Sequence, residues 1–414
     1  MRNQNPEKRL EFLSFECPEK RIVDLISTAK DDFDKLMSLI KLNLIEFLIS
    51  SEREMLAGPK YHPFSGWEKW GSQEGSVYVG GERIKVKKPR LRKDKKEVSL
   101  SVYQELRNKE RFSEELLKKS LCGISCRDYE KTLNGLLDNF GISRSSVSRH
   151  LKTATKEKLK ELKDRSLKGI NPFAIFIDGY HSAGKVFIVA MLIDMEGKKH
   201  VLGFWEGATE NHNVCEELFR DIERRGLHLN EQILFITDGG TGIIKSLKNR
   251  FGKYLQHQRC TVHKDRNIQQ HLPKKYRKEA HRRFKNAIDL NRYDDAKKEL
   301  RNVERWLDDI NPSAAESLRE AFEELLTVHR LGVPPLLRKT LHSTNPIESM
   351  FSQVSHGMGN IKYMKNASKM AQRWFGTVLL YSEEKFRTVK GYISIKEVRT
   401  KIMNFQDEIK SSVA

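Results

Sequence analysis

No apolar run among the 414 residues reaches the roughly 18 needed to cross a bilayer, and the first 30 residues mix Glu, Asp, Lys and Arg throughout. Neither a transmembrane helix nor a signal peptide is expected, and the expectation is a soluble intracellular protein. Cysteine is scarce too: five residues, Cys17, Cys122, Cys126, Cys215 and Cys260, odd in number and scattered, so no disulfide framework is expected. The pairs Cys122-x3-Cys126 and Cys260-x2-His263 could each supply two zinc ligands. Neither is followed by a second pair at zinc-finger spacing, so buried or local structural cysteines are the expected reading. Internal repeats and low-complexity tracts are missing. Acid is in deficit, with 56 Asp plus Glu against 76 Lys plus Arg, a formal charge of +20 and a pI near 9.6. An excess of this size points to a polyanionic partner, nucleic acid first and an anionic membrane surface second.

The chain is long enough for several domains, and six stretches differ in pattern. Residues 1–58 read as a helical arm in which Leu36, Ile40, Leu44 and Phe47-Leu48 mark one face, closed by Gly58-Pro59. Residues 59–112 hold an expected β-hairpin around Gly80-Gly81. Nine of the fourteen residues from Arg83 to Lys96 are Lys or Arg. Such a run is either solvated surface or a phosphate-binding face, and Arg90 and Arg92 are its candidate DNA contacts. Residues 113–168 read as a helix-turn-helix: a stripe of Tyr129, Leu133, Leu136-Leu137 and Phe140, a turn at Gly141-Ile142-Ser143, and a second helix from Arg144. Arg144, Arg149 and Lys152 on that helix are candidate contacts to phosphates or base edges, with Val147 and Leu151 packing inward.

From residue 169 to 264 the pattern turns to strands. Runs at 173–178, 185–194, 199–206, 232–237 and 256–262 are interleaved with helices at 211–225 and 241–250. Three antiparallel strands followed by helix-strand-helix-strand give an α/β mixed sheet, an order that matches a ribonuclease-H-like core. Residues 265–340 then read as an all-helical insertion, and 341–414 as C-terminal helices of the core.

Three carboxylates stand out in this frame. Asp178 and Asp238 end short apolar runs, and Glu348 lies 110 residues beyond the second. An ionised carboxylate beside a buried strand needs a hydrogen-bond partner or a cation. Taken singly, the Asp-Gly pairs pass for strand-end turns, and Glu348 for the third position of a helix capped by Asn345 with Pro346 first. Taken in order, strand, strand and helix start, they read as one metal site. In-line displacement at a phosphodiester charges both the entering and the leaving oxygen, and two hard ions about 3.5–4 Å apart stabilise both.

The motifs Phe176-Ile177-Asp178-Gly179, Thr237-Asp238-Gly239, Arg259-Cys260-x-x-His263-Lys264-x-Arg266-Asn267 and Thr344-Asn345-x-x-Glu348 resemble those of Mutator-type transposases of bacterial insertion sequences. The resemblance spans residues 60–395 and implies a DDE active site in a ribonuclease-H-like core. It implies Asp178, Asp238 and Glu348 as metal ligands for two Mg²⁺ ions, with Mn²⁺ as a substitute. Cys260 and His263 then have a structural or strand-positioning role, Lys264 and Arg266 contact the backbone of DNA, and Asn345 orients Glu348. The implied function is binding of terminal inverted repeats, then strand cleavage by water and strand transfer by a DNA 3′-hydroxyl. The partner is double-stranded DNA, the assembly a homodimer or larger, and the location the bacterial cytoplasm, with the nucleoid. Two other readings stay open: another ribonuclease-H-like nuclease or recombinase, and a DNA-binding regulator derived from a transposase.

Overall fold

The computed structural model describes residues 33–59, 61–79, 82–121, 144–182, 185–207, 212–358 and 369–411. The chain divides into two compact units, Met1–Ala154 and Thr155–Ala414. Among the described residues no helix is long and apolar enough to cross a membrane.

In the first unit a long helix, Phe33–Ala57, packs on an antiparallel sheet of β1 (Trp67–Val79), β2 (Glu82–Lys93) and β3 (Lys96–Val98). The first half of strand β2 alternates: Ile84 and Val86 are buried while Arg83, Lys85 and Lys87 are exposed. That period of two puts the apolar side against the helix and the cations in solvent. The helix turns inward Leu42, Ile45 and Ile49, which join the sheet in one core. The expected inward face is corrected here, since Ile40, Leu44 and Phe47 are 50%, 55% and 62% exposed. The helix is apolar around much of its girth, so its own periodicity could not select the face that the sheet would take. The turn at 80–81 lies outside the described residues, although Val79 and Glu82 pair on either side of it. So do the first helix and the turn of the expected helix-turn-helix, and the Cys122 and Cys126 pair. The helix Arg144–Asp164 is described: Val147 and Leu151 are buried and Arg149 and Lys152 exposed.

The second unit is a mixed α/β layer built on a five-stranded sheet of order β6-β5-β4-β7-β8. Its strands are β4 (Pro172–Ser182), β5 (Lys185–Asp194), β6 (Lys199–Gly207), β7 (Leu234–Thr237) and β8 (Gln256–Arg259). β4, β5 and β6 are antiparallel neighbours, while β7 runs parallel to β4 and β8 parallel to β7. Ile175 and Ile177 face one side, in a core shared with helices His212–Arg224 and Thr241–Phe251. Phe176, Asp178 and Tyr180 alternate onto the other side. There Phe187 stacks on Phe375 at 4.3 Å and Tyr180 lies 5.2 Å from both Phe351 and Phe375. Helices Asn345–Met358 and Met370–Glu383 therefore cover this second face.

Helices between Thr261 and Leu341 enclose a core of their own, with Phe284, Leu300, Leu307 and Phe322 among its members and Trp306 packed against it. This block is pinned to β8 by polar groups. The buried Gln258 side chain donates to the Leu325 carbonyl at 3.0 Å and accepts from Val328 N–H at 3.0 Å, and Thr327 donates to the His257 carbonyl at 2.6 Å. Each pairing satisfies a group that would be costly to bury alone.

Within the helical block, His329 donates its Nε2 proton to the Ile288 carbonyl at 2.9 Å. Burial, with the nearby Arg338 adding to it, pushes His329 down to about 4 from its ordinary 6.5. The unfolded chain then takes up the proton first, so the stability carried by the neutral ring is whole above pH 6.5 and drains as the pH falls toward 4. The loss is of the order of 3 kcal/mol at its limit. Thermal unfolding followed by circular dichroism should show Tm falling over this window more steeply in the native chain than in His329→Gln. Equal slopes would remove His329 from the acid response.

Candidate active site

Ile177 of β4 pairs with Thr237 of β7, and Thr237 with Arg259 of β8. The next residues along, Asp178, Asp238 and Cys260, thus stand side by side at one level of three parallel strands, about 4.8 Å from strand to strand. The two aspartates stand 60 positions apart in the chain, and the parallel pairing of β4 with β7 brings them together. Strand β4 does not end at Asp178 as its apolar run suggested. It continues through Gly179, Tyr180 and His181, paired with Ile188, Phe187 and Val186 of β5, so Asp178 is a mid-strand carboxylate rather than a turn residue.

Asp178 is 5% exposed, and its Oδ1 accepts from the Gly179 N–H at 2.8 Å. Burial pushes its carboxyl up to about 8, and the Asp238 charge pushes in the same direction. Asp238 follows the last residue of β7, and its Oδ1 accepts from Gly240 N–H at 2.9 Å, an Asx turn. Between them Gly239 has φ +112°, and a side chain there would collide with the Arg259 guanidinium. Glycine is required by both the backbone and the space. Arg259 itself is buried and paired with Glu320 at 3.1 Å.

Glu348 arrives on the helix that covers the Asp178 face. Tyr180, two residues beyond Asp178 and on the same side of β4, packs on Phe351, and its hydroxyl lies 3.1 Å from Ser355 Oγ. Phe351 and Ser355 are one and two turns along the helix from Glu348, so this contact sets the helix over the strand. Its N-terminus is tied down by Cys260. The Cys260 sulfur accepts the Thr344 N–H at 3.3 Å and the His263 N–H at 3.5 Å, capping the helix Thr261–Gln270 as it does so. The Thr344 hydroxyl lies 3.3 Å from Cys260 Sγ, 3.3 Å from His263 Nδ1 and 2.9 Å from Glu348 Oε1. Its single proton serves either the sulfur or the carboxylate at a given moment.

The charges follow from these contacts. Burial opposes ionisation of the Cys260 thiol, but the His263 ring, the Thr344 hydroxyl and two backbone N–H groups together hold it below its ordinary value. The Cys260 contact raises His263 to about 9 against its burial, with Asp178 and Glu348 adding to the effect. His263 Nδ1 is 3.8 Å from Glu348 Oε1. Near neutral pH a cationic imidazole stands among the carboxylates.

Asn345 is exposed at the start of its helix, so the residue that holds Glu348 is Thr344. A Thr four residues before a helical Glu was the available signal, hidden by the better N-cap propensity of Asn. Lys264 is 1% exposed, its Nζ bound to the Ser317 carbonyl at 2.9 Å and Glu320 at 2.8 Å, so it does not face a DNA backbone as expected. Arg266, on the same helix, is exposed. In the first unit Arg90 is paired bidentately with Glu97 at 3.1–3.3 Å, and Arg92 lies 3.3 Å over the Trp70 ring. Arg83, Lys85 and Lys87 form the exposed row beside them. Arg144 begins its helix, and Arg149 Nε donates to the Ser145 carbonyl one turn back at 3.4 Å.

Residues 20–388 match the family model described as transposase, Mutator family. Similar proteins include the transposase for insertion sequence element IS6120 of Mycolicibacterium smegmatis, 26% identical over 59% of this chain and 76% of that protein. The transposase for element IST2 of Acidithiobacillus ferrooxidans is 30% identical over 48% of this chain and 68% of its own length. The transposase for element IS256 in transposon Tn4001 of Staphylococcus aureus is 26% identical over 75% of this chain and 80% of that protein. With the family model covering most of its length, this chain belongs to the Mutator family of transposases, and it is an enzyme of DNA.

Proposed function

We propose that the second unit is a ribonuclease-H-like DDE core in which Asp178, Asp238 and Glu348 hold two Mg²⁺ ions, and that the enzyme cuts and joins the ends of its own insertion sequence. The observation that carries this reading is the parallel register that sets Asp178 beside Asp238 on the face covered by the Glu348 helix. The donors are oxygen only, which suits a hard ion, with Mn²⁺ as a substitute. A dry, raised Asp178 beside a second carboxylate fits a site completed by a cation. When bound, such ions stabilise the charge on the entering and leaving oxygens of an in-line displacement. The chain supplies the rest: Asp178 releases its proton, Thr344 fixes the carboxylate of Glu348, and His263 offers positive charge to an approaching phosphate. Water is the nucleophile for nicking and a DNA 3′-hydroxyl for joining, with no covalent enzyme intermediate.

Recognition of the terminal inverted repeats falls to the first unit. The exposed row Arg83, Lys85, Lys87 repeats every second residue along β2, about 6.8 Å apart, and offers a line of charge to phosphates. Arg149 and Lys152 stand exposed on the Arg144–Asp164 helix, as a groove-reading helix requires. Joining two ends calls for at least a pair of subunits on double-stranded DNA.

Asp238→Asn should keep its affinity for labelled element ends and lose Mg²⁺-dependent nicking altogether; nicking retained by this variant removes Asp238 from the site. Because Asp178 sits at about 8 in the metal-free fold, it binds a proton that the unfolded chain releases, and metal-free stability falls as pH rises from about 4 to 8. A divalent ion must displace that proton. The rise in Tm on adding Mg²⁺ or Mn²⁺ should therefore grow from about pH 6 to pH 8, and a pH-independent rise would contradict it. Thr344→Val should cut the nicking rate by about 10–100-fold, the usual cost of losing a group that orients a ligand, while Thr344→Ser restores most of it. Equal rates for Val and Ser variants would deny the hydroxyl this role.

A further inference from the structure

We propose that Cys260, His263 and Glu348 form a second kind of metal site, one for a thiophilic divalent ion of the zinc class. The Cys260 sulfur, a ring nitrogen of His263 and a carboxylate oxygen of Glu348 all lie within 4.8 Å of one another. His263 Nδ1 and Glu348 Oε1 are 3.8 Å apart, too far for a good hydrogen bond. It is close to the separation of two ligands that share a four-coordinate ion through bonds of about 2.0–2.3 Å. The sequence offered only the Cys-x2-His pair and no second pair near it. The third ligand comes from 85 residues beyond His263, delivered by the helix that Cys260 itself ties down.

Three features beyond proximity favour this assignment. The sulfur already accepts two backbone N–H groups, from His263 and Thr344, which stabilise a thiolate in place. Cys260 is fully buried, while the His263 and Glu348 side chains are 29% and 30% exposed, so the site is open on the side from which an ion would enter. The Thr344 hydroxyl touches all three ligands at 2.9–3.3 Å and marks the centre that the ion would take over. On binding, Cys260 and any protonated His263 release their protons to solvent, and no change of oxidation state is involved. The donor set selects against Mg²⁺, which does not compete for sulfur. A zinc-class ion here would also claim Glu348, and so hold it away from the oxygen-only set with Asp178 and Asp238. That consequence rests on the proposed function; occupancy of the site does not.

The test is titration of the metal-free, full-length chain with Co²⁺, read by absorption. One equivalent per chain should produce a sulfur-to-cobalt charge-transfer band with the strong visible bands of four-coordinate cobalt, unaffected by excess Mg²⁺. Cys260→Ser should abolish the charge-transfer band, Cys215→Ser should keep it, and His263→Gln and Glu348→Gln should each weaken Co²⁺ binding by tenfold or more. No band in the native chain, or a band that survives Cys260→Ser, overturns the proposal. Zinc K-edge absorption on the native chain needs no variant to fold: it should fit one sulfur at about 2.3 Å with nitrogen and oxygen neighbours, and a fit without sulfur overturns the proposal equally. Both readouts are independent of nicking, so a chain that fails to nick DNA still decides the question.

Discussion

A buried carboxylate beside a second one, at one level of adjacent parallel strands under a helix-covered face, is held toward its neutral form by burial and by its neighbour's charge. This constraint on Asp178 and Asp238 organises the second unit. Asp178 lies mid-strand and buried, and its proton is held to about pH 8 by burial and by its neighbour. His263 contributes positive charge from the helix after β8. A sheet of order β6-β5-β4-β7-β8 is what makes the arrangement available, since only there do β4 and β7 run parallel and side by side.

Holding Glu348 is a separate problem, because its helix follows a long helical block with a core of its own. Tyr180 grips that helix at Phe351 and Ser355, and Cys260 grips its first turn through the Thr344 N–H. The Cys-x2-His element is therefore a fastening between two helix starts and the β8 strand. It is also electrically coupled to the carboxylates. A sulfur that accepts hydrogen bonds and an imidazole that stays charged make one polar unit with Thr344 and Glu348, and in such a network each group depends on the others being satisfied.

Much of this was legible in the chain. The run Ile233 to Thr237 is a short buried strand by composition, and the strand order followed from the succession of apolar runs and helices. The Asp, Asp and Glu were found because in the sequence each closes an apolar run or opens a helix, where an acid needs a reason. What stayed hidden was decided by tertiary contacts. The continuation of β4 through Gly179, Tyr180 and His181 has no apolar signature and exists because β5 pairs with it. The helix Phe33–Ala57 carries apolar residues on several faces, and the sheet chose Leu42, Ile45 and Ile49. Lys264 looked like a surface cation until Glu320, 56 residues away, neutralised it in the interior. Thr344 was visible in its motif, yet Asn345 is the stronger cap by propensity, and only the placement of Cys260 assigns the role to threonine.

Anomalous diffraction from crystals of the full chain soaked in Mn²⁺ tests the shared-cation explanation most directly. Shared coordination requires anomalous density between the carboxylates of Asp178 and Asp238, with Glu348 in the same coordination sphere, and loss of that density in Asp178→Asn. A fully bound manganese found elsewhere, or density that persists without the Asp178 carboxylate, would contradict it.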